Sequence, residues 1–321
     1  MASIHHLQPD SQTLHGFFDR SLSPAHEIEP GDSVIYKTLD SAWGIEKRQA
    51  PGTKRKKFSD LSPERQHNQF GHALIGPVFI NGAKPGMTLE IQINEIIPST
   101  YGWTSAGGFP SYWNRKLGIA DQEEVTFDFD LDPEKMIGSS SFGSFDYSVA
   151  LSPFMGIMGM PPDEAGRHST VSPFPSGGNL DCKELTAGSR LYLPIPVEGG
   201  LFSVGDGHAV QGDGEVGGPA LECGMEKVNL TFNLLETKEI SMPRADTPKG
   251  WLTMGIHESL DEAMWIAMNE MLDLMMENLH ISRSEANAYA SLVVDLRVTQ
   301  IVNGKKGVHA FLPHNALMKN K

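Results

Sequence analysis

Residues 226–235 read EKVNLTFNLL. Val228, Leu230, Phe232 and Leu234 alternate with Lys227, Asn229, Thr231 and Asn233. A period of two sends successive side chains to opposite faces, so the stretch is predicted to be a half-buried antiparallel strand. Residues 89–93 repeat the pattern, with Leu89, Ile91 and Ile93 on one side and Glu90, Gln92 and Asn94 on the other. Shorter strands are expected at 32–36, behind Pro30-Gly31, and at 78–80, between Gly76-Pro77 and Asn81-Gly82. Another is expected at 190–197, where Pro194 and Pro196 suit an edge or a bulge. Past Pro243 and Pro248 the period changes. Leu260, Ala263, Met264, Ala267, Met268, Met271, Leu272, Met275 and Leu279 recur at helical spacing behind Ser259-x-x-Glu262, and the methionines are expected to face the core. Ser282-x-x-Glu285 opens a second helix to about Val293, followed by a strand at 295–302 and a hairpin into 308–312. The fold class is therefore mainly β, with a sandwich- or barrel-like body over 1–240 and a C-terminal α+β unit over 241–321 packed on it.

The chain has 321 residues, 40 acidic against 26 basic, for a formal charge of −14. Lys54, Arg55, Lys56 and Lys57 form the one basic cluster. That balance argues against nucleic acid and against an anionic membrane as partners. No apolar run approaches the roughly 18 residues of a spanning helix, and the first residues lack a secretory pattern, so a cytoplasmic location is expected. Cys182 and Cys223 are the two cysteines, which excludes a disulfide framework.

Residues 205–215, GDGHAVQGDGE, hold two Gly-Asp-Gly triplets around His208 and end on Glu215. They are expected to form a loop, with glycines on both sides of Asp206 and Asp213 allowing positive φ and letting the carboxylates and imidazole converge. Carboxylates crowded together repel one another and lose hydration, so either a cation neutralises them or their pKa values rise. Histidine with carboxylates suits zinc, and an all-oxygen subset suits calcium. The alternative is a plain turn with His208 in solvent. His72, between Gly71 and Gly76-Pro77, is a further ligand candidate, or else a histidine satisfied at a strand end. His5, His6, His15 and His26 match no ligand spacing and are expected at the surface, with His15 the one worth testing. Residues 101–147 show little period and are expected to be an irregular cover over the site, with Trp103, Phe109 and Trp113 available as pocket walls.

Taken together, GGNLDCKEL at 177–185, residues 191–216, GPVFINGAKPGMTLEI at 76–91 and the helix–strand ending at 259–313 resemble the acetamidase/formamidase family. The resemblance implies hydrolysis of a short carboxamide to carboxylate and ammonia on a mainly β fold, with a divalent metal and a homo-oligomeric assembly. The chain departs from the family pattern at Met87, where an acidic residue is usual, and across 101–147, so the resemblance does not define the substrate. Asp181, Asp206, His208 and Asp213, with His72, are the metal-ligand candidates. Zinc is the expected ion, with room for a second, structural calcium. Glu215 is the expected general base, a role Glu222 could exchange with it. Two other readings compete. One is a thiol amidase built on Cys182 with Lys183 and Glu184, although side chains adjacent in a strand point to opposite faces. The other is a non-enzymatic, calcium-stabilised β protein.

Overall fold

In the computed structural model, which describes residues 2–50, 53–61, 70–142, 145–236 and 240–317, the opening stretch is the outer half of the strand Leu221–Leu235. This strand pairs antiparallel with Thr88–Ala106, from Leu235 opposite Thr88 to Glu222 opposite Trp103. Val228, Leu230 and Phe232 are buried as expected, whereas Leu234 is only partly covered. The register shifts three times along the pair, between Cys223 and Met225, between Met225 and Lys227, and between Asn229 and Leu230. Each irregularity adds local twist and bends the strands. Among the described residues, 19 strands join in one curled sheet, and a separate two-stranded pair completes the set. The fold is mainly β with its long helices near the C-terminus.

The strand Phe202–Val210 lies in the middle of the sheet. Phe154–Gly159 pairs with one side of it. Leu74–Ile80 and the inner end of Leu221–Leu235 pair with the other. Residues 205–210 are therefore strand and not loop, which corrects the expectation for the first half of GDGHAVQGDGE. Gly205 and Gly207 serve close approach instead of turning. A Cβ on Gly205 would stand 2.2 Å from the Ala73 carbonyl oxygen, and one on Gly207 would stand 2.7 Å from Met225 Cε. The left-handed residue is Asp206 itself, at φ 56°.

Residues 101–147 are also corrected, since they are regular. Thr88–Ala106 continues through the first of them, and a short helix, Tyr112–Leu117, follows. Strands Val125–Asp132, Ile137–Phe142 and Phe145–Ala150 then form consecutive antiparallel pairs. Val125–Asp132 does alternate, Val125, Phe127, Phe129 and Leu131 against Thr126, Asp128, Asp130 and Asp132, whereas its neighbour Ile137–Phe142, IGSSSF, carries little apolar pattern to read.

At the C-terminal end, helices Leu260–Leu279 and Arg283–Val293 pack with strand Lys306–Pro313 around a cluster that includes Ala263, Ala267, Met271, Met275, Ala286, Ala290 and Val308. Ser282 and Glu285 complete a reciprocal capping box, whereas at Ser259 only the side-chain half forms, to Glu262 N–H. The neighbouring strands are hydrogen-bonded into the main sheet through Arg244–Thr247 against Arg190–Pro194. No helix among the described residues is long and apolar enough to cross a membrane.

Candidate active site

The sheet register brings the chemistry together. His208 and Glu222 are direct cross-strand partners, and His208 Nε2 stands 3.3 Å from Glu222 Oε1. Asp206, two residues back on the same strand, places Oδ1 3.5 Å from the same nitrogen. Asp181 follows the short strand Gly177–Asn179 at φ 47°, with Leu180 and Asp181 N–H both donating to the Gly156 carbonyl, at 3.0 and 3.2 Å. Glu215 follows Gly214, which is tied to the far end of the chain: Gly214 N–H donates to Thr299 O, and Ile301 N–H donates to Gly214 O.

Gln211 and Asn303, which sequence patterns did not single out, orient these groups. Gln211 Nε2 donates to the Asp181 carbonyl at 2.8 Å, which leaves its Oε1 as acceptor for His208 Nδ1 at 3.0 Å. His208 thus carries its proton on Nδ1 and presents Nε2, the tautomer a metal ligand requires. Asn303 Nδ2 donates to Asp181 Oδ2. Gln211 lies inside the glycine-rich stretch but is neutral, so it carries no charge signal. Asn303 reads only as half of an Asn-Gly turn.

Gly156 completes the floor. The register of Phe154–Gly159 against Phe202–Val210 sets it opposite Asp206, and a Cβ there would stand 2.6 Å from Asp181 Oδ1 and 2.7 Å from Asp206 Oδ2. Gly156→Ala is expected to destabilise the protein by about 1–3 kcal/mol and to lower its metal content. Denaturant unfolding and metal analysis measure both, and wild-type values in both would contradict this account of the floor.

Five polar atoms at this point are buried without a hydrogen-bond partner: Asp181 Oδ1, Asp206 Oδ1, His208 Nε2, Glu215 Oε2 and Glu222 Oε2. They fall into two groups that share His208, one with Asp181 and Glu215 and one with Asp206 and Glu222, each with its ligand atoms within 4.8 Å of one another. Buried polar atoms left unpaired are costly, and four carboxylates around one imidazole are a donor set that a divalent cation satisfies. Burial pushes Asp181 up to about 7, His208 opposing and Asp206 adding to the rise. Burial and the Asp181 charge raise Glu215 well above its ordinary range. Burial alone would lower His208, but Glu222 and Asp206 outweigh it and raise the imidazole. Asp206 would also rise on burial, yet His72 and His208 bring it down to about 2.

The raised His208 imidazole and the raised Asp181 and Glu215 carboxyls favour their protonated forms, which relieves the repulsion among the acids. A carboxyl group with a raised folded-state pKa contributes stability that is fully present below its unfolded value of about 4 and is lost as pH rises through about 7. A divalent cation bound here would displace those protons and reverse the trend. The gap in Tm between zinc-loaded and chelator-treated protein is expected to widen from about pH 5 to about pH 8. Calorimetry in buffers of different ionisation enthalpy should record release of about two protons per ion near pH 6. A gap that narrows with pH, or binding without proton release, would sink this account.

Not every candidate joins the group. Asp213 is exposed and pairs with Lys183 at 3.0 Å, so the structure does not bring it to the other acids. His72 is half-buried, its N–H and Nδ1 both directed at Thr170 Oγ1, and belongs to neither metal-type group. Its charge nonetheless acts on Asp206 and Asp181. His15, expected at the surface, is buried instead, with Nδ1 donating to Phe17 O and Nε2 against Ser203 Oγ. Burial lowers it to about 4. Cys182 is fully buried, its thiol donating to Glu184 Oε2 at 3.7 Å, and burial and the Glu184 charge push it far up. A neutral thiol closed off from substrate is a poor nucleophile. His309 stands beside Glu184, and the thiol and imidazole of this third group do not suit calcium.

Two cavities meet at Gln211. One, of about 480 Å³, is bordered by Glu215 and by apolar side chains including Phe129, Val149, Val210 and Leu221. The other, of about 550 Å³, has Lys183, Glu184, Ser152 and Lys249 on its wall. Phe109 and Trp113 border a separate cavity with Gly217 and Gly218, and Trp103 lies opposite Glu222 in the register.

Residues 163–303 match the model of the Acetamidase/Formamidase family. An acetamidase from Mycolicibacterium smegmatis is 39% identical over 110 residues, 29% of this chain and 26% of that protein. A formamidase from Methylophilus methylotrophus is 55% identical over 47 residues, 15% of this chain and 12% of that protein. The matched segments therefore span well under two thirds of either relative. The solved structure of an acetamidase from Bacillus halodurans superposes with a TM-score of 0.80 at 27% identity, over 96% of this chain and 97% of its own. Asp181, Asp206, His208, Gln211, Glu215, Glu222 and Asn303 all lie inside the stretch that the family model matches.

Proposed function

We propose that this chain, which carries the acetamidase/formamidase pattern across residues 163–303 on the fold of a solved acetamidase, is an amidase that hydrolyses a carboxamide to carboxylate and ammonia. The observation that carries this reading is the set of five buried, unpartnered polar atoms in two groups that share His208, with Glu215 of one group bordering a cavity. Asp206, His208 and Glu222 would hold a divalent ion, with Asp181 in the neighbouring group beside it, and one imidazole among carboxylates suits zinc. Such an ion, when bound, polarises a carbonyl oxygen and acidifies water.

The chain's own groups do the rest. Glu215 borders the cavity and is kept readily protonated by burial and by Asp181, which fits a base that takes a proton from water and hands it to the leaving nitrogen. Water adds at the carbonyl carbon, the C–N bond breaks, and the proton carried by Glu215 leaves with ammonia. Glu222 is held by Ala220 N–H at 3.0 Å and faces His208, a placement better suited to a ligand than to a mobile base. Gln211 keeps the imidazole in its presenting tautomer and Asn303 holds the Asp181 carboxylate. A homo-oligomeric assembly and a cytoplasmic location are part of the same proposal, as the resemblance and the composition suggest.

Metal analysis of the purified protein together with ammonia release tests it. About one zinc per chain and amide turnover abolished by a chelator and restored by zinc are expected. Turnover untouched by chelation but lost on thiol alkylation would return the thiol reading. No turnover of any amide, with calcium still raising Tm, would favour the non-enzymatic one.

A further inference from the structure

Resting on the amidase proposal, we infer that the site takes amides with a bulky apolar acyl group, a longer or branched aliphatic chain or an aryl ring, in preference to formyl or acetyl. Glu215 borders the cavity walled by Phe129, Val149, Val210 and Leu221 and not the one walled by Lys183 and Lys249. An acyl carbon within reach of that carboxylate therefore extends its substituent between apolar walls. The cavity volume of about 480 Å³ lies in the range of roughly 300–1,000 Å³ that houses drug-sized ligands, far more space than a methyl group fills. Apolar walls offer a polar substituent no replacement for its lost hydration, while each methylene they cover favours binding roughly fourfold.

The two sides of this cavity differ in origin. Glu215, Gln211 and Leu221 lie inside the stretch that the family model matches, whereas Thr104, Phe129 and Val149 lie outside it. Phe129 comes from strand Val125–Asp132 and Val149 from strand Phe145–Ala150. Both strands lie outside the matched stretch, so the reacting groups and the wall that selects the acyl chain can vary independently.

The test is kcat/KM for ammonia release by the zinc-loaded full-length protein on formamide, acetamide, butyramide, isobutyramide, benzamide and succinamate. Butyramide or benzamide is expected to exceed acetamide at least tenfold, chiefly through KM, consistent with about fourfold per buried methylene. Val149→Trp, which fills the cavity, should bring the butyramide-to-acetamide ratio of kcat/KM down toward one, and Val149→Met narrows the cavity less if the larger residue prevents folding. Acetamide as best substrate, or Val149 variants that lower every amide equally, would overturn the inference. Succinamate as best substrate would overturn it too, and point to the cavity of Lys183 and Lys249. Turnover of acetamide without gain on longer chains defeats this inference alone, whereas ammonia from no amide at all defeats it together with the amidase proposal.

Discussion

Glu215→Gln is expected to lower kcat by about 10³-fold, in the range of general acid–base contributions, while the protein keeps its metal. Glutamine has the shape of the carboxylate but cannot take up and release a proton, so the change isolates proton transfer from cavity shape. Glu215 is held at φ 48° and is almost fully covered, its Oε2 without a hydrogen-bond partner, so its side chain has little freedom to relax. Ammonia-release kinetics beside metal analysis decides the matter. A loss under tenfold would move the base to Glu222, and a loss of metal would make Glu215 a ligand.

His208→Ala is expected to weaken zinc binding more than about 100-fold, beyond what loss of a supporting residue costs, and to abolish turnover. Nε2 is the one nitrogen among the converging atoms, and it lies between Asp206 and Glu222. Without the ring, those carboxylates face each other across the register and must take up protons of their own. Phe154, packed edge-on to the imidazole at 5.1 Å, would border the gap, so a modest fall in Tm is also expected. Competition with a chromophoric chelator measures the affinity. Wild-type affinity in the variant would remove His208 from the site and leave an all-oxygen set, as calcium prefers.

Much of the fold was legible because its central strands are wet on one face. Residues 226–235 and 89–93 alternate for that reason, and both lie in the long pair that organises the sheet. The segment 101–147 reads as irregular because IGSSSF at 137–142 and the Gly- and Ser-rich residues before Val125 carry little apolar period, although Val125–Asp132 itself alternates. GDGHAV at 205–210 is strand where its glycines predict a loop, because glycine signals turns in sequence, whereas Gly205 and Gly207 answer to the crowding of Ala73 and Met225. Gln211, Asn303 and Gly156 carry no charge to attract attention, and their importance lies in contacts with residues distant in the chain.

Composition and periodicity alone determined the mainly β class, the two capped helices and the kinds of group available for chemistry, because burial and valence are properties of residue type and local spacing. Only tertiary structure decided which acids meet. Asp213 and Glu215 flank a single glycine, yet one faces solvent beside Lys183 while the other is buried against Asp181. What separates them is the left-handed turn at Gly214 and its hydrogen bonds to Thr299 and Ile301. Convergence of charged groups follows from the register of strands far apart in the chain, and local spacing does not encode that register.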